Sequence, residues 1–162
     1  MPYLPVREDN HGRIWSFLEE TRDGPMIKEI TPREAWELLQ SDKSAVVLDV
    51  RSKVEFDYVG HPVGAVHVPW QEFPAWQADP QFVDKVRRRL AERGAADPAK
   101  DLTVLSLCRS GSRSRAAAQA LAAAGFARVY NVAQGFEGDR DQDGHRGTQG
   151  GWRFHGLPWE QT

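Results

Sequence analysis

Cys108 is the one cysteine in the chain, and it opens the run Cys108-Arg109-Ser110-Gly111-Ser112-Arg113-Ser114. A thiol becomes a nucleophile or an anion carrier as its thiolate, and nearby cations favour that form. Arg109 and Arg113 supply two cations within five residues of the sulfur. Gly111 permits a backbone turn that a β-carbon resists. A free cysteine often packs as a small hydrophobe, but an apolar pocket is not lined by arginines. The run therefore reads as a loop that holds an anionic sulfur and receives an anionic ligand.

The flanking residues position that loop. Leu102 to Leu107 is a short apolar run of strand formers, long enough for a buried strand. Arg115 to Ala124 is almost all alanine and leucine, a strong helix composition, and Gly125 stands where a helix C-cap belongs. The cysteine thus falls between a buried strand and a helix N-terminus, where unpartnered backbone N–H groups and the helix dipole favour an anion.

The rest of the chain repeats this alternation. Met26 to Ile30 reads as a strand. Thr31-Pro32-Arg33-Glu34 combines a threonine cap, a proline at the first helical position and a glutamate closing a capping box, and it starts a helix to about Gln40. Ala45 to Leu48 is wholly apolar, as in a parallel strand buried on both faces. It ends in Asp49-Val50-Arg51, so Asp49 lies at the carboxyl end of a strand, where open α/β sheets place their sites. A plain helix cap or surface carboxylate is the alternative for Asp49. Val66-His67-Val68 reads as a short strand. Asp79-Pro80 starts a helix with Phe82, Val83, Val86 and Leu90 on one face. Arg87 to Arg89 form a solvated basic face on it, Gly94 to Lys100 a loop, and Arg128 to Val132 a last strand. Strands alternating with helices imply an α/β domain with a mainly parallel sheet covered on both faces.

The cysteine run resembles the active-site loop of the rhodanese family, often written Cys-Arg-Ser-Gly-x-Arg-Ser, and every fixed position matches. Asp49-Val50-Arg51 is similar to the family's Asp-x-Arg. Glu55-Phe56, Gly60-His61 and Gly64-Ala65 continue the likeness, with one extra residue before Gly60 and an inverted Pro62-Val63. Gly135-Phe136-Glu137-Gly138 resembles the Gly-Gly-aromatic segment found after the last strand, and Gly156-Leu157-Pro158-Trp159 the ending of some bacterial single-domain members. The resemblance covers about Ile27 to Gly138. It implies a three-layer α/β/α, rhodanese-like fold. It also implies that Asp49 is an internal salt-bridge partner near the site, supported by Arg51.

Composition narrows the classes. The 162 residues suffice for one domain with a sizeable core. At 40% hydrophobic and 27% charged, with a net charge of −2, the chain offers no electrostatic reason to expect nucleic acid or an anionic membrane as partner. One cysteine excludes an internal disulfide framework and a cysteine-cluster metal site. No run approaches a membrane span, and Met1 to Asn10 lacks the apolar core of a signal peptide. A soluble, cytoplasmic protein without a cofactor is expected. Three parts are expected: an N-terminal extension over 1–25, a rhodanese-like domain over 26–138 and a C-terminal extension over 139–162 packed on it. Ile14 to Leu18 is read as one helical turn. Trp152, Phe154 and Trp159 are read as anchors of the tail. Asp139 to Gly144 imitates the start of a calcium loop, but the twelfth position is Gly150 rather than glutamate, so no metal is expected there. His61, in a glycine-proline turn, is read as structural.

The resemblance implies a sulfurtransferase. Cys108 takes a sulfane sulfur from an anionic donor such as thiosulfate, becomes a persulfide, and passes the sulfur to a thiol, cyanide or protein acceptor. Arg109, Ser110, Gly111, Ser112, Arg113 and Ser114 are the expected substrate-binding residues. Arg113 is expected to fold over the donor, Arg109 to point to solvent, and Ser114 to cap the helix and bond within the loop. Two alternatives stand beside this: a cysteine phosphatase or arsenate reductase on the same fold, and a non-catalytic interaction or sulfur-carrier module. Such phosphatases use Cys-x5-Arg, whereas the arginines here stand at x4 and x6.

Overall fold

A computed structural model describes residues 7–8, 14–15 and 27–162. In chain order the strands are β1 (Arg7–Glu8), β2 (Ile14–Trp15), β3 (Lys28–Ile30), β4 (Ala45–Asp49), β5 (His61–Pro62), β6 (Val66–His67), β7 (Thr103–Leu107), β8 (Arg128–Val132) and β9 (Trp159–Glu160). The helices are α1 (Pro32–Ser41), α2 (Phe82–Ala91), α3 (Pro98–Asp101) and α4 (Ser112–Ala123), with a π-helical turn at Glu55–Val59.

Five strands form the central sheet in the order β3-β8-β7-β4-β6, and every pairing in it is parallel. The middle strands β4 and β7 are mostly apolar because helices cover both faces; all five residues of β7 are buried. On one face Val46, Leu48 and Val104 pack with Phe82, Val86 and Leu90 of α2 and with Ala117, Ala118 and Leu121 of α4. On the other, Val47, Leu105 and Leu107 pack with Ala35 of α1 and with Phe136, Trp152 and Leu157. The result is the expected three-layer α/β/α arrangement. The alanines of α4 let its axis lie close to the sheet, while α2 presents the larger Phe82, Val86 and Leu90, at i, i+4 and i+8, to the same face.

Local signals set the helix ends. Thr31 Oγ1 accepts from the Glu34 N–H at 3.2 Å, with Pro32 at the first helical position; such a cap is worth about 1 kcal/mol. At the end of α4, Gly125 adopts φ +99° and the Phe126 N–H reaches back to the Leu121 carbonyl at 3.1 Å, which closes the helix as a Schellman turn.

Several expectations are corrected. Ile14–Trp15 pairs antiparallel with Arg7–Glu8 and is no helical turn; Ser16 to Leu18 lie outside the described residues, as does Met26. Asp79 does not begin α2 but caps the preceding turn, its carboxylate accepting from the Gln81 N–H at 2.8 Å. The loop expected over Gly94 to Lys100 contains α3, started by Asp97 and Pro98. Arg128–Val132 is the last strand of the main sheet but not of the chain, because β9 pairs antiparallel with β5. The tail is anchored by Trp152, 1% exposed, whose indole N–H donates to the Pro158 carbonyl at 2.9 Å. Phe154 is half-exposed and anchors nothing comparable.

Candidate active site

Cys108 follows β7 directly and sits at the carboxyl end of the sheet, 1% exposed. The expected helix start at Arg115 is corrected by one turn: Ser112, Arg113 and Ser114 already belong to α4, and Gly111 is its N-cap. Gly111 is left-handed, at φ +116°, a conformation open to glycine and strained for other residues. Ser114 therefore lies inside the first turn and caps nothing.

Two donors meet the sulfur. The Gly111 N–H points at Cys108 Sγ at 3.1 Å, and Ser114 Oγ lies 3.2 Å from it. Among the described residues no acceptor takes the N–H groups of Ser110, Ser112 or Arg113; the last two are free donors of a helix N-terminus. The loop can thus stabilise an anionic sulfur and an incoming anion with backbone dipoles that need no reorganisation.

The Ser114 hydroxyl has one proton and three neighbours that could accept it. Cys108 Sγ is one; the others are the Gly111 carbonyl at 3.2 Å and Asn131 Oδ1 at 2.6 Å. Asn131, fully buried on β8, directs its amide nitrogen at both Glu29 carboxylate oxygens, at 2.9 and 3.1 Å, and at the Gly111 carbonyl at 3.0 Å. Those acceptors fix the amide orientation, so Oδ1 must face Ser114.

Arg113 is not open to a donor in the way expected. Its two terminal nitrogens bind the two oxygens of Glu55 at 2.7 and 2.8 Å, in the bidentate geometry that makes such pairs strong. Burial alone pushes the Glu55 carboxyl up. The Arg113 guanidinium and the Ser52 hydroxyl and N–H outweigh that and hold it at about 2. Arg109 is exposed and has no carboxylate partner among the described residues.

Around this loop the chain builds a brace. Asp49 and Arg51 are both fully buried, and Arg51 binds Asp49 through Nε and Nη2 at 2.7–3.2 Å. Arg51 also donates to the Gly60 carbonyl at 2.6 Å and lies 4.5 Å over the Phe136 ring. The Phe136 and Glu137 N–H groups donate to the carbonyls of Cys108 and Arg109 at 2.8 and 3.0 Å. Gly135 makes that approach possible, since a β-carbon there would sit inside contact distance of the Cys108 carbonyl oxygen. His61 stacks on Phe56 at 3.7 Å with Nδ1 on the Phe56 carbonyl, which is a structural placement. Asp141 spends its carboxylate inside its own loop, on the N–H groups of Asp143 and His145 and on the Thr148 hydroxyl.

Sequence reading missed Glu55, Asn131 and Glu29 as parts of the site. Asn131 carried a signal: it is a polar residue between Val129 and Val132 in a strand read as buried. Glu55 carried none beyond its place in a familiar segment, because its partner lies 58 residues away.

Comparison with known proteins accords with this geometry. A protein named thiosulfate sulfurtransferase GlpE, from Glaesserella parasuis serovar 5, is 36% identical over 121 residues, covering 75% of this chain and 89% of that protein. The uncharacterized protein RP600 homolog of Rickettsia rickettsii is 29% identical over 137 residues, covering 83% of this chain and 98% of that protein. The crystal structure of Rv0390 from M. tuberculosis superposes with a TM-score of 0.71 at 39% identity, over 83% of this chain and 98% of that one. The family model for the rhodanese-like domain matches residues 31–142. On the strength of that match and these relatives, the chain belongs to the rhodanese-like domain family.

Proposed function

We propose that this protein is a sulfurtransferase that carries sulfane sulfur on Cys108. The observation behind this reading is the sulfur's setting: Gly111 N–H and Ser114 Oγ on Sγ, with further unpartnered N–H groups at the start of α4. The Cys108 thiolate attacks the outer sulfur of thiosulfate. An S–S bond forms to the cysteine, the donor's own S–S bond breaks, and its electron pair leaves on sulfite. The persulfide anion then remains in the N–H cradle until a thiol, cyanide or protein acceptor takes the terminal sulfur and restores the thiolate. With cyanide the product is thiocyanate. Neither half-reaction needs a cofactor or metal, and the first needs the Cys108 thiol kept reduced, as in the cytoplasm. Among the described residues no helix is long and apolar enough to cross a membrane.

In this reading Arg109 meets the donor's anionic oxygens. Arg113, clasped by Glu55, braces the wall of the site and contributes less net charge than its position suggested. Ser110 and Ser112 act through their backbone N–H groups. Asp49 and Arg51 hold the ends of β4 and β5 against the loop. A cysteine phosphatase is disfavoured because no arginine stands at the x5 position, and the one at x4 already has a carboxylate in its fork.

The test is thiocyanate formation from thiosulfate and cyanide by the wild-type chain and by Cys108→Ser. The reading requires activity in the first and none above background in the second. Equal activity in both, or release of phosphate from an aryl phosphate at a higher kcat/KM, would overturn it.

A further inference from the structure

Beside the cysteine loop lies an open cavity of about 570 Å3, whose lining includes Val54, Glu55, Phe73, Trp76, Arg109 and Arg113. That volume falls within the roughly 300–1,000 Å3 of small-molecule sites. Thiosulfate, with two sulfurs and three oxygens, uses little of it. The two arginines stand on the side of the cysteine loop. Away from them the walls are hydrocarbon and are unusually exposed: Phe73 is 71%, Val54 61% and Trp76 46% accessible. Three large apolar side chains left wet on one concavity mark a contact surface.

The wall is built and held. Glu72 ties its two sides together, one carboxylate oxygen accepting from the Lys53 N–H at 2.9 Å and the other from the Phe73 N–H at 3.1 Å. A bridge between Gln71 and Ala78 closes the loop, and the Trp76 N–H returns to the Glu72 carbonyl at 2.9 Å. Trp76 has φ +50°, a strained conformation for a bulky residue. The Phe73 and Trp76 rings meet edge to face at 6.4 Å. Strain of this kind persists where the surroundings enforce it, and it clusters at ligand sites.

We infer that the loop from Gln71 to Trp76 is a specificity wall selecting an organic sulfane-sulfur donor, with an anionic sulfur-bearing head and a hydrocarbon body, over inorganic thiosulfate. This rests on the sulfurtransferase reading and names its substrate class. The polarity of the cavity sets the orientation: the anionic head lies at Arg109 and the body between Val54, Phe73 and Trp76. A thiosulfonate has this form. The Cys108 thiolate bonds to its outer sulfur, the S–S bond to the sulfonyl sulfur breaks, and the electron pair leaves on a sulfinate. An acceptor thiol of the same size would also lead with its sulfur, but it carries no sulfonyl oxygens for Arg109 to bind.

The experiment compares benzenethiosulfonate with thiosulfate, cyanide being the acceptor, in wild type, Phe73→Ala and Trp76→Asn. Asparagine is chosen because it tolerates positive φ, and circular dichroism checks each fold. In the wild type, kcat/KM for benzenethiosulfonate should exceed that for thiosulfate by about tenfold or more. In each variant the ratio of the two should fall by a similar factor, the scale of one lost apolar contact set. Calorimetry of benzenesulfinate binding to Cys108→Ala gives a readout free of turnover: binding should weaken when Phe73→Ala is added. If no donor loads sulfur but this Phe73-dependent binding holds, the sulfurtransferase reading fails and the wall stands. If thiosulfate is used and neither the ratio nor sulfinate binding responds to the variants, the wall serves another occupant, such as a protein acceptor. The inference is then overturned.

Discussion

Arg113 and Glu55 form a two-pronged ion pair across the mouth of the cysteine loop, at 2.7 and 2.8 Å, with both side chains less than one-fifth exposed. It joins the first turn of α4 to the π-helical turn after β4, so the loop that holds the sulfur is tied to the segment that follows Asp49 and Arg51. The pair also occupies the arginine that the loop sequence alone would assign to the donor.

The acid limb of stability should report this pair. Glu55 is held at about 2 against an ordinary 4.5. A carboxyl depressed in the folded state stabilises above its unfolded value and loses that contribution as pH falls through the folded one. The stabilisation is therefore complete above about 4.5 and disappears on the way down to about 2. Partial exposure limits it to the order of 1 kcal/mol. Glu55→Gln should lower the melting temperature at pH 6 and flatten its dependence on pH between 4.5 and 2. An unchanged slope in that window would show that the pair does not hold in solution.

Arg109 should matter more than Arg113 for donor binding. Losing a charged hydrogen-bond contact costs about 1.5–3 kcal/mol, or roughly ten- to a hundredfold in kcat/KM. Arg109→Ala should lose that much with thiosulfate, chiefly through KM, and its remaining activity should depend less on salt. Arg113→Ala should lose thermal stability as well as activity, because it leaves Glu55 part-buried and unpaired. A smaller kcat/KM loss in Arg109→Ala than in Arg113→Ala would reverse the two roles.

Ser114 and Asn131 should act in opposite senses on the sulfur. Asn131 Oδ1, at 2.6 Å, competes with Cys108 Sγ, at 3.2 Å, for the one hydroxyl proton. Ser114→Ala removes a donor to the anion, so alkylation of Cys108 at a fixed pH should slow. Asn131→Leu removes the competitor and should speed it in variants that keep their fold. Shifts of both variants in the same direction would mean that the hydroxyl does not divide between these two acceptors.

Gly135→Ala tests the brace under the loop. The added methyl meets the carbonyls of Cys108 and Arg109 at backbone distance, so something must shift. The expected cost is on the order of 1–3 kcal/mol, with slower persulfide formation in the protein that still folds. A variant as stable and as active as wild type would show that the segment after β8 does not set the loop's position.

Parts of this site were legible in the sequence and parts were not. β4 and β7 could be read because strands covered on both faces are mostly apolar, and α1 because Thr31, Pro32 and Glu34 act within four residues of one another. The cysteine loop was legible because its residue types are themselves the chemistry. The start of α4 was misplaced because Ser112 to Ser114 have loop-like composition, while one left-handed glycine was enough to begin the helix there. α3 carried a local signal in Asp97-Pro98 that four residues were too few to support. β5 and β9, two residues each, have no periodicity to find. The Glu55–Arg113 pair and the Glu29–Asn131–Ser114 chain join residues 17 to 102 positions apart. Only the folded sheet brings them together.

The most direct test of the account is the intact mass of the protein after incubation with thiosulfate and removal of excess donor. The wild type should gain one sulfur atom, lose it on addition of cyanide with release of thiocyanate, and regain it with fresh donor. Cys108→Ser should show no gain under the same conditions. A wild-type mass that does not change, or a sulfur gained equally by Cys108→Ser, would contradict a persulfide carried on Cys108.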